Sequence, residues 1–364
     1  MEIINCKSLN KDITIGRAGI EILINSDIDI DDISRNRNNI RGLLCEEKDI
    51  LSHTVIFLKL LGAIIFVIDS EDIAKIKKED ILLLDGVRDL IIINPDQTTL
   101  NLYRRKMPKL SDNSIYEGKV TTKDGIKIHL HGSALTLNDI DLFTNKYKMD
   151  IGLWRSEGIL LDNDRDYIDI YCKAYDINEN IIFRLFDTTG DKAVLFNKIN
   201  TEGLIDEQIG HLMGISDLKE LKILIPNVES EEDIIKIKEK IRRRNISCSI
   251  GAMMETSSSV ILCDDIIKHC DFVHIGLNGL FRQLNHPKAV LKSAQRIVSF
   301  SRKMGLQVYA CGEKLCDKEY LRLLLGIGIS DFCVSRHDIG TIVNAIKTIN
   351  YGEAIRDSVL YIGK

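Results

Sequence analysis

The sequence lacks any hydrophobic run long enough to span a bilayer. Its most apolar stretch, residues 55–68, is interrupted by Lys59 and falls short of the roughly 20 residues a membrane-spanning helix needs. Residues 1–10 contain no apolar segment or cleavage signal of the secretory type. Paired Cys-x-x-Cys spacing is missing as well: the nine cysteines are scattered, and Cys311 and Cys316 stand too far apart for that motif. With no secretory signal, reduced thiols in a cytoplasmic protein are the expectation. Nor is there an excess of basic charge. A net charge of −5 gives no electrostatic basis for binding nucleic acid or anionic membrane. The one basic cluster, Arg242-Arg243-Arg244, closes a helix-like segment, where cations favourably face the C-terminal end of the dipole.

What is present is an ordinary globular composition, 45% hydrophobic and 28% charged over 364 residues, enough for about two domains. Residues 1–96 read as a small α/β unit with strands at 20–24, 64–68, 81–84 and 89–94, the last ended by Pro95. Residues 28–44 are broken and polar-rich. Residues 97–120 read as a linker, helical or flexible, with Arg104, Arg105 and Lys106 ahead of Pro108. From 121 to 364 the pattern changes to short apolar strands, each followed by a stretch of helical period. The strands fall at 126–130, 151–154, 181–186, 221–225, 250–254, 272–277, 308–311 and 332–334. Eight such units predict a (β/α)8 barrel, with an open doubly wound sheet as the alternative.

Polar residues collect where these strands end. Arg155 follows the second strand, and Arg184 with Asp187 follows the third. Glu255 ends the fifth, Asn278 the sixth, Cys311 and Glu313 the seventh, and Ser335 the eighth. In a closed barrel these positions share one mouth, where such folds place their chemistry. Guanidinium forks match carboxylate and phosphate oxygens, so the expected ligand is a small phosphorylated or carboxylated anion. Blander roles are available to each residue. Glu255 and Arg184 can pair with each other, Asn278 can satisfy backbone groups at the rim, and Cys311 can be a buried thiol. His274 reads as core. His129 and His131 alternate on the first strand and face one side, but two histidines without a third ligand are a poor metal set.

These segments resemble the phosphoenolpyruvate-utilising phosphotransferases, and among them enzyme I of the bacterial sugar phosphotransferase system. Ile151-Gly-Leu-Trp-Arg155-Ser-Glu157 is similar to the family's Gly-Leu-Tyr-Arg-Thr-Glu motif, and Arg184-Leu-Phe-Asp187-Thr-Thr-Gly190-Asp191-Lys192 to Arg-Thr-x-Asp-x-Gly-Gly-Asp-Lys. Gly251-Ala-Met-Met-Glu255-Thr resembles Gly-x-Met-Val-Glu-Thr, and Ile275-Gly-Leu-Asn278 resembles Ile-Gly-Thr-Asn-Asp. Cys311-Gly-Glu313 with Leu323-Leu-Leu-Gly-Ile-Gly328 resembles Cys-Gly-Glu and its Leu-Leu-Gly-Met-Gly continuation. In the first unit, Ser52-His53-Thr54 and Leu82-Leu-Leu-Asp-Gly86 through Asn94-Pro95 resemble the family's swivelling phosphohistidine domain. The likeness runs from about residue 20. The front of enzyme I, with the helical insert that docks its phosphocarrier, has no counterpart here.

The resemblance implies a phosphohistidine-type swivel domain followed by the barrel, with transfer of phosphate from phosphoenolpyruvate to His53 and release of pyruvate. It implies Arg155, Arg184 and Asn278 as substrate-binding residues, Glu255 as a ligand of Mg2+, and Cys311 as the acid that protonates the enolate. It further implies a protein phospho-acceptor other than the usual carrier, and a homodimer formed through the barrel. Several positions depart from the family pattern. Gly279 stands where the second metal carboxylate would be, and no arginine lies between Lys192 and Lys222. Arg282 is too close to Asn278 to replace the arginine of the following loop, and Lys48 and Asp49 replace two glycines of the phosphohistidine loop. The expectation is a family member with impaired or altered catalysis. The alternative is an inactive regulatory protein that binds phosphoenolpyruvate or pyruvate.

Overall fold

The computed structural model of the chain describes residues 2–9, 13–24, 39–49, 52, 55, 58, 63–106, 117–161, 167–187, 201–216, 221–244 and 247–363. His53, Thr54 and the Gly190-Asp191-Lys192 end of the second barrel motif lie outside them. Two compact units divide the chain. One takes in Met1–Pro108, the other Lys109–Ile159, Asp164–Asp187 and Ile199–Lys364.

Among the described residues the first unit has eight strands: β1 (Glu2–Asn5), β2 (Lys7–Ser8), β3 (Ile13–Arg17), β4 (Ile22–Ile24), β5 (Gly42–Cys45), β6 (Ile64–Val67), β7 (Ile81–Asp85) and β8 (Leu90–Ile93). They form two sheets, β1-β8-β7-β3 and β2-β6-β5-β4. The uninterrupted aliphatic runs of β7 and β8 suit strands buried on both faces. Leu82, Leu84, Ile91 and Ile93 join Ile22, Leu44 and Phe66 in one cluster, while Leu83 and Ile92 pack with Tyr103 on the other side. Tyr103 belongs to the helix Gln97–Lys106, so the start of the stretch read as a linker is helical and contributes to this core. The Tyr103 hydroxyl donates to the buried Asp85 carboxylate at 2.7 Å.

In the second unit β9 (Lys119–Thr121) lies antiparallel to β10 (Lys127–Ala134). Then follow β11 (Ile151–Arg155), β12 (Ile181–Arg184), β13 (Leu221–Ile225), β14 (Cys248–Met254), β15 (Phe272–Gly276), β16 (Gln307–Cys311) and β17 (Asp331–Val334). The strands from β10 onward are parallel neighbours in sequence order, and β10 pairs with both β11 and β17. That second pairing closes the sheet. It excludes the open doubly wound alternative and gives the expected barrel. Side chains alternate across each strand. Outward residues such as Ile128, Leu130, Ile223, Ile225, Val273 and Ile275 pack beneath the helices. Inward residues Leu153, Ile182, Leu224, Met253, Phe272, Tyr309, Cys311 and Cys333 fill the interior, as in a packed core rather than a pore.

Local signals set the helices between strands. Ser230 and Asp233 form a capping box ahead of Glu231–Arg242, and Asp317 accepts from the amides of Glu319 and Tyr320 at the start of Lys318–Gly326. Pro287 opens Pro287–Lys303, where its missing N–H costs nothing. Among the described residues, no helix is long and apolar enough to cross a membrane.

Candidate active site at the barrel mouth

Because the strands are parallel, their last residues share one end of the barrel. Arg155 and Arg184 end β11 and β12 and stand directly opposite each other in the ladder. Two adjacent guanidinium groups repel unless carboxylates or a ligand intervene. Glu157, in the turn that follows β11, pairs with Arg184, and both are almost completely buried. Burial works against the charge of Arg184, but the carboxylates of Glu157, Asp187 and Glu255 outweigh it and raise its pKa. Arg155 differs. Burial and the neighbouring Arg184 lower its pKa, against the pull of Glu157 and Asp139. The Nε atoms of both arginines are enclosed without a hydrogen-bond partner. The pairing of Arg184 with Glu255 considered above is replaced by the pairing with Glu157.

A polar network holds this end of β12 in place. Ser156 Oγ donates to the carbonyl of Arg184 at 3.0 Å. Gln208, from the helix Thr201–Ser216, donates to Ser156 Oγ at 2.8 Å and to the Tyr171 hydroxyl at 2.9 Å, and accepts from the Phe186 amide at 2.8 Å. Every member is buried, and satisfied buried networks of this kind specify a single geometry.

Glu255 follows β14. Its Oε1 accepts the backbone N–H of Asn227 at 3.1 Å, and the side-chain amide of Asn227 donates to Asp187 Oδ1. Asn227 therefore ties two carboxylates together from the end of β13, with a positive φ of 48° that Asn tolerates better than most residues. The sequence reading missed it. Strand four, like strand one, had no polar end residue named, although Asn227 stands two positions beyond it. Arg336, next to Ser335 after β17, was also missed; its Nη1 lies 3.4 Å from Asp139 Oδ1.

Asn278 and Cys311 meet at the far side of the mouth. Asn278 is exposed, and its Oδ1 accepts the Glu313 N–H at 3.0 Å, the rim role anticipated for it. Gly312 has φ +132°, and a Cβ there would lie 2.7 Å from Asn278 Oδ1, so the Cys-Gly-Glu turn needs its glycine. Cys311 is buried, and its Sγ donates to the Ile275 carbonyl at 3.8 Å. It is near enough to act electrostatically on Arg155 and Arg184. His274, buried one turn of the pleat below, has both ring nitrogens unpartnered. Burial, with His131 and Arg184 nearby, pushes its pKa down from 6.5 to about 3.

Among the described residues, the position after Asn278 offers a Mg2+ ion no second carboxylate beside Glu255. Glu255 is one candidate. At the second position, a Cβ on Gly279 would lie 2.7 Å from the Glu255 carbonyl oxygen and 3.0 Å from its Oε2. The glycine lets the helix Leu277–Leu284 approach β14, and Glu255 takes up the space a second carboxylate would need. His53, the candidate nucleophile, lies outside the described residues.

Comparison with known proteins agrees with this geometry. The model of a family described as PEP-utilising enzyme, PEP-binding domain, matches residues 111–351. The chain is 23% identical over 376 residues to a phosphoenolpyruvate-protein phosphotransferase of Listeria monocytogenes, covering 88% of this chain and 66% of that protein. Proteins of the same name from Buchnera aphidicola and Chlamydia pneumoniae are each 25% identical. They cover 86% and 88% of this chain and 64% and 63% of their own length. The chain thus spans about two thirds of the length of the curated relatives it matches, from 63% to 69%.

Proposed function

The chain belongs to the phosphoenolpyruvate-utilising enzyme family, and from that premise we propose that it takes phosphoenolpyruvate at the C-terminal mouth of the barrel and passes the phosphoryl group to His53, releasing pyruvate. The observation that carries the reading is the pairing of Arg155 with Arg184, two guanidinium groups facing one mouth with unpartnered Nε atoms. Charge-assisted bonds from guanidinium to phosphate or carboxylate would use that unspent capacity.

In the proposed reaction a ring nitrogen of His53 forms a bond to phosphorus as the bond from phosphorus to the enol oxygen breaks. Arg155 and Arg184 neutralise charge on the transferring group. The electron pair left on the enolate takes a proton at carbon from the Cys311 thiol, giving pyruvate, and solvent reprotonates the thiolate. Arg155 is the better candidate for direct contact, since Arg184 is already committed to Glu157. The first unit would act as the swivelling carrier of His53, with a protein as onward acceptor, in a cytoplasmic homodimer associated through the barrel.

Gly279 and the Lys48-Asp49 substitution favour impaired turnover, and in the limit a second reading: a regulatory protein that binds phosphoenolpyruvate or pyruvate without transfer. The test is incubation of the full chain with labelled phosphoenolpyruvate, beside a His53→Ala variant. Acid-labile, base-stable label absent from the variant is the expected result. No label with binding retained in calorimetry would select the regulatory reading, and neither label nor binding would overturn both.

A further inference from the structure

The opposite end of the barrel carries a second polar cluster that the phosphotransfer reading does not use. Along β10, Ile128, Leu130 and Ala134 pack outward beneath the helices, which turns His129 and His131 inward. His129 stands directly across the ladder from Asp331 at the start of β17. Room for the His131 ring comes from Gly152, where a Cβ would lie 2.6 Å from His131 Cβ and 2.7 Å from Cys333 Sγ. Asp331 Oδ1 is 3.0 Å from His131 Nε2 and 3.4 Å from His129 Nδ1. All three donor atoms lie within 4.8 Å of one another.

We propose that His129 Nδ1, His131 Nε2 and Asp331 Oδ1 form a site for a divalent transition-metal ion of the zinc class. Bonds of about 2.0–2.2 Å in tetrahedral geometry separate neighbouring ligand atoms by about 3.3 Å. Two edges of this triangle already have that length, and rotation of the half-exposed His129 ring closes the third. The carboxylate is oriented as outer-shell partners orient metal ligands: Ser330 Oγ donates to Oδ2 at 2.7 Å and Gln307 Nε2 to Oδ1 at 3.0 Å. The His129 side chain is 45% exposed, which leaves a fourth position to water. Two imidazoles with one carboxylate favour zinc-class ions over Mg2+ or Ca2+. A plain ion pair would need one histidine on Asp331, whereas here two imidazoles converge on the same oxygen. The ion would join the first and last strands of the barrel, β10 and β17, at the seam where it closes.

The test is titration of the full chain, stripped with a chelator, using Co2+ and then Zn2+. The expected result is one ion per chain, a tetrahedral Co2+ spectrum free of thiolate charge transfer, and a Zn2+-dependent rise in Tm. Affinity should fall more than about a hundredfold in His129→Ala and in Asp331→Asn, since loss of an outer-shell partner alone costs up to that much. His129 is half exposed, so its variant should keep the parent's circular dichroism and carries the test if Asp331→Asn does not fold. Absence of binding overturns the proposal. So does a thiolate charge-transfer band, which would place the ion on cysteine, and so does binding unchanged in His129→Ala.

Discussion

At the scale of single residues, the two arginines of the mouth have opposite jobs although they are ladder neighbours. Arg184 is buried against Glu157, and breaking such a pair from one side leaves an uncompensated interior charge. Glu157→Gln should therefore lose about 3–5 kcal/mol of stability, read from urea denaturation. Among the described residues no carboxylate forms an ion pair with Arg155, and its enclosed Nε is unsatisfied. Arg155→Met should leave stability nearly unchanged while weakening phosphoenolpyruvate binding at least about tenfold, as loss of a charged hydrogen bond predicts. Equal effects on both quantities in both variants would contradict this division. His274 supplies the pH dependence. Its folded pKa, about 3, lies below the unfolded value of 6.5, so the unfolded chain takes up the proton first on acidification. The stability from its neutral ring is complete above pH 6.5 and is lost as pH falls toward 3, at about 1.4 kcal/mol per unit within that window. His274→Phe should flatten that slope in denaturation series run with chelator present.

At the scale of elements, the barrel was legible because its strands are compact apolar runs and each is followed by a stretch of helical period. All eight were placed within a few residues, the main difference being β10, which continues past Leu130 through His131 and Ser133 to Ala134. Those polar side chains fill the barrel interior and so break the apolar pattern. The first unit was less legible. β1, β2, β3 and β5 were missed: β1 and β3 are short and mix isoleucine with charged or small polar residues, β2 is only the pair Lys7-Ser8, and β5, Gly42-Leu-Leu-Cys45, lies at the edge of a polar stretch. In the site, strand-end polarity located the mouth but could not assign partners. That Glu157 takes Arg184 while Asn227 bridges Asp187 and Glu255 depends on turns after the strands, where no period operates. Gly279 was legible only as a lost ligand; its packing role needed the helix Leu277–Leu284 in place against the end of β14. Restoring the family's aspartate should therefore fail: Gly279→Asp forces the helix away from the Glu255 carbonyl and should cost about 1–3 kcal/mol by overpacking. Calorimetry should show no gain in Mg2+ affinity, and a gain without loss of Tm would show that the helix can yield.

At the scale of the whole molecule, the proposed reaction separates binding from transfer. In that proposal phosphoenolpyruvate would be held by residues of the second unit, while His53 of the first would be the nucleophile. A ligand that binds only the folded barrel stabilises it by RT ln(1 + [L]/Kd), about 2.7 kcal/mol at a hundredfold excess over Kd. For a unit of this size that corresponds to a Tm rise of roughly 5–11 °C. The barrel transition should therefore rise with phosphoenolpyruvate in the parent chain and equally in His53→Ala, because removing the acceptor leaves the mouth intact. In Arg155→Met the shift should largely disappear at the same ligand concentration. The same barrel carries the proposed zinc-class site at its other end, so chelator must be present throughout to hold that contribution constant. A Tm response lost in His53→Ala would mean that the first unit supplies binding energy, and the mouth could then no longer be regarded as sufficient for recognition.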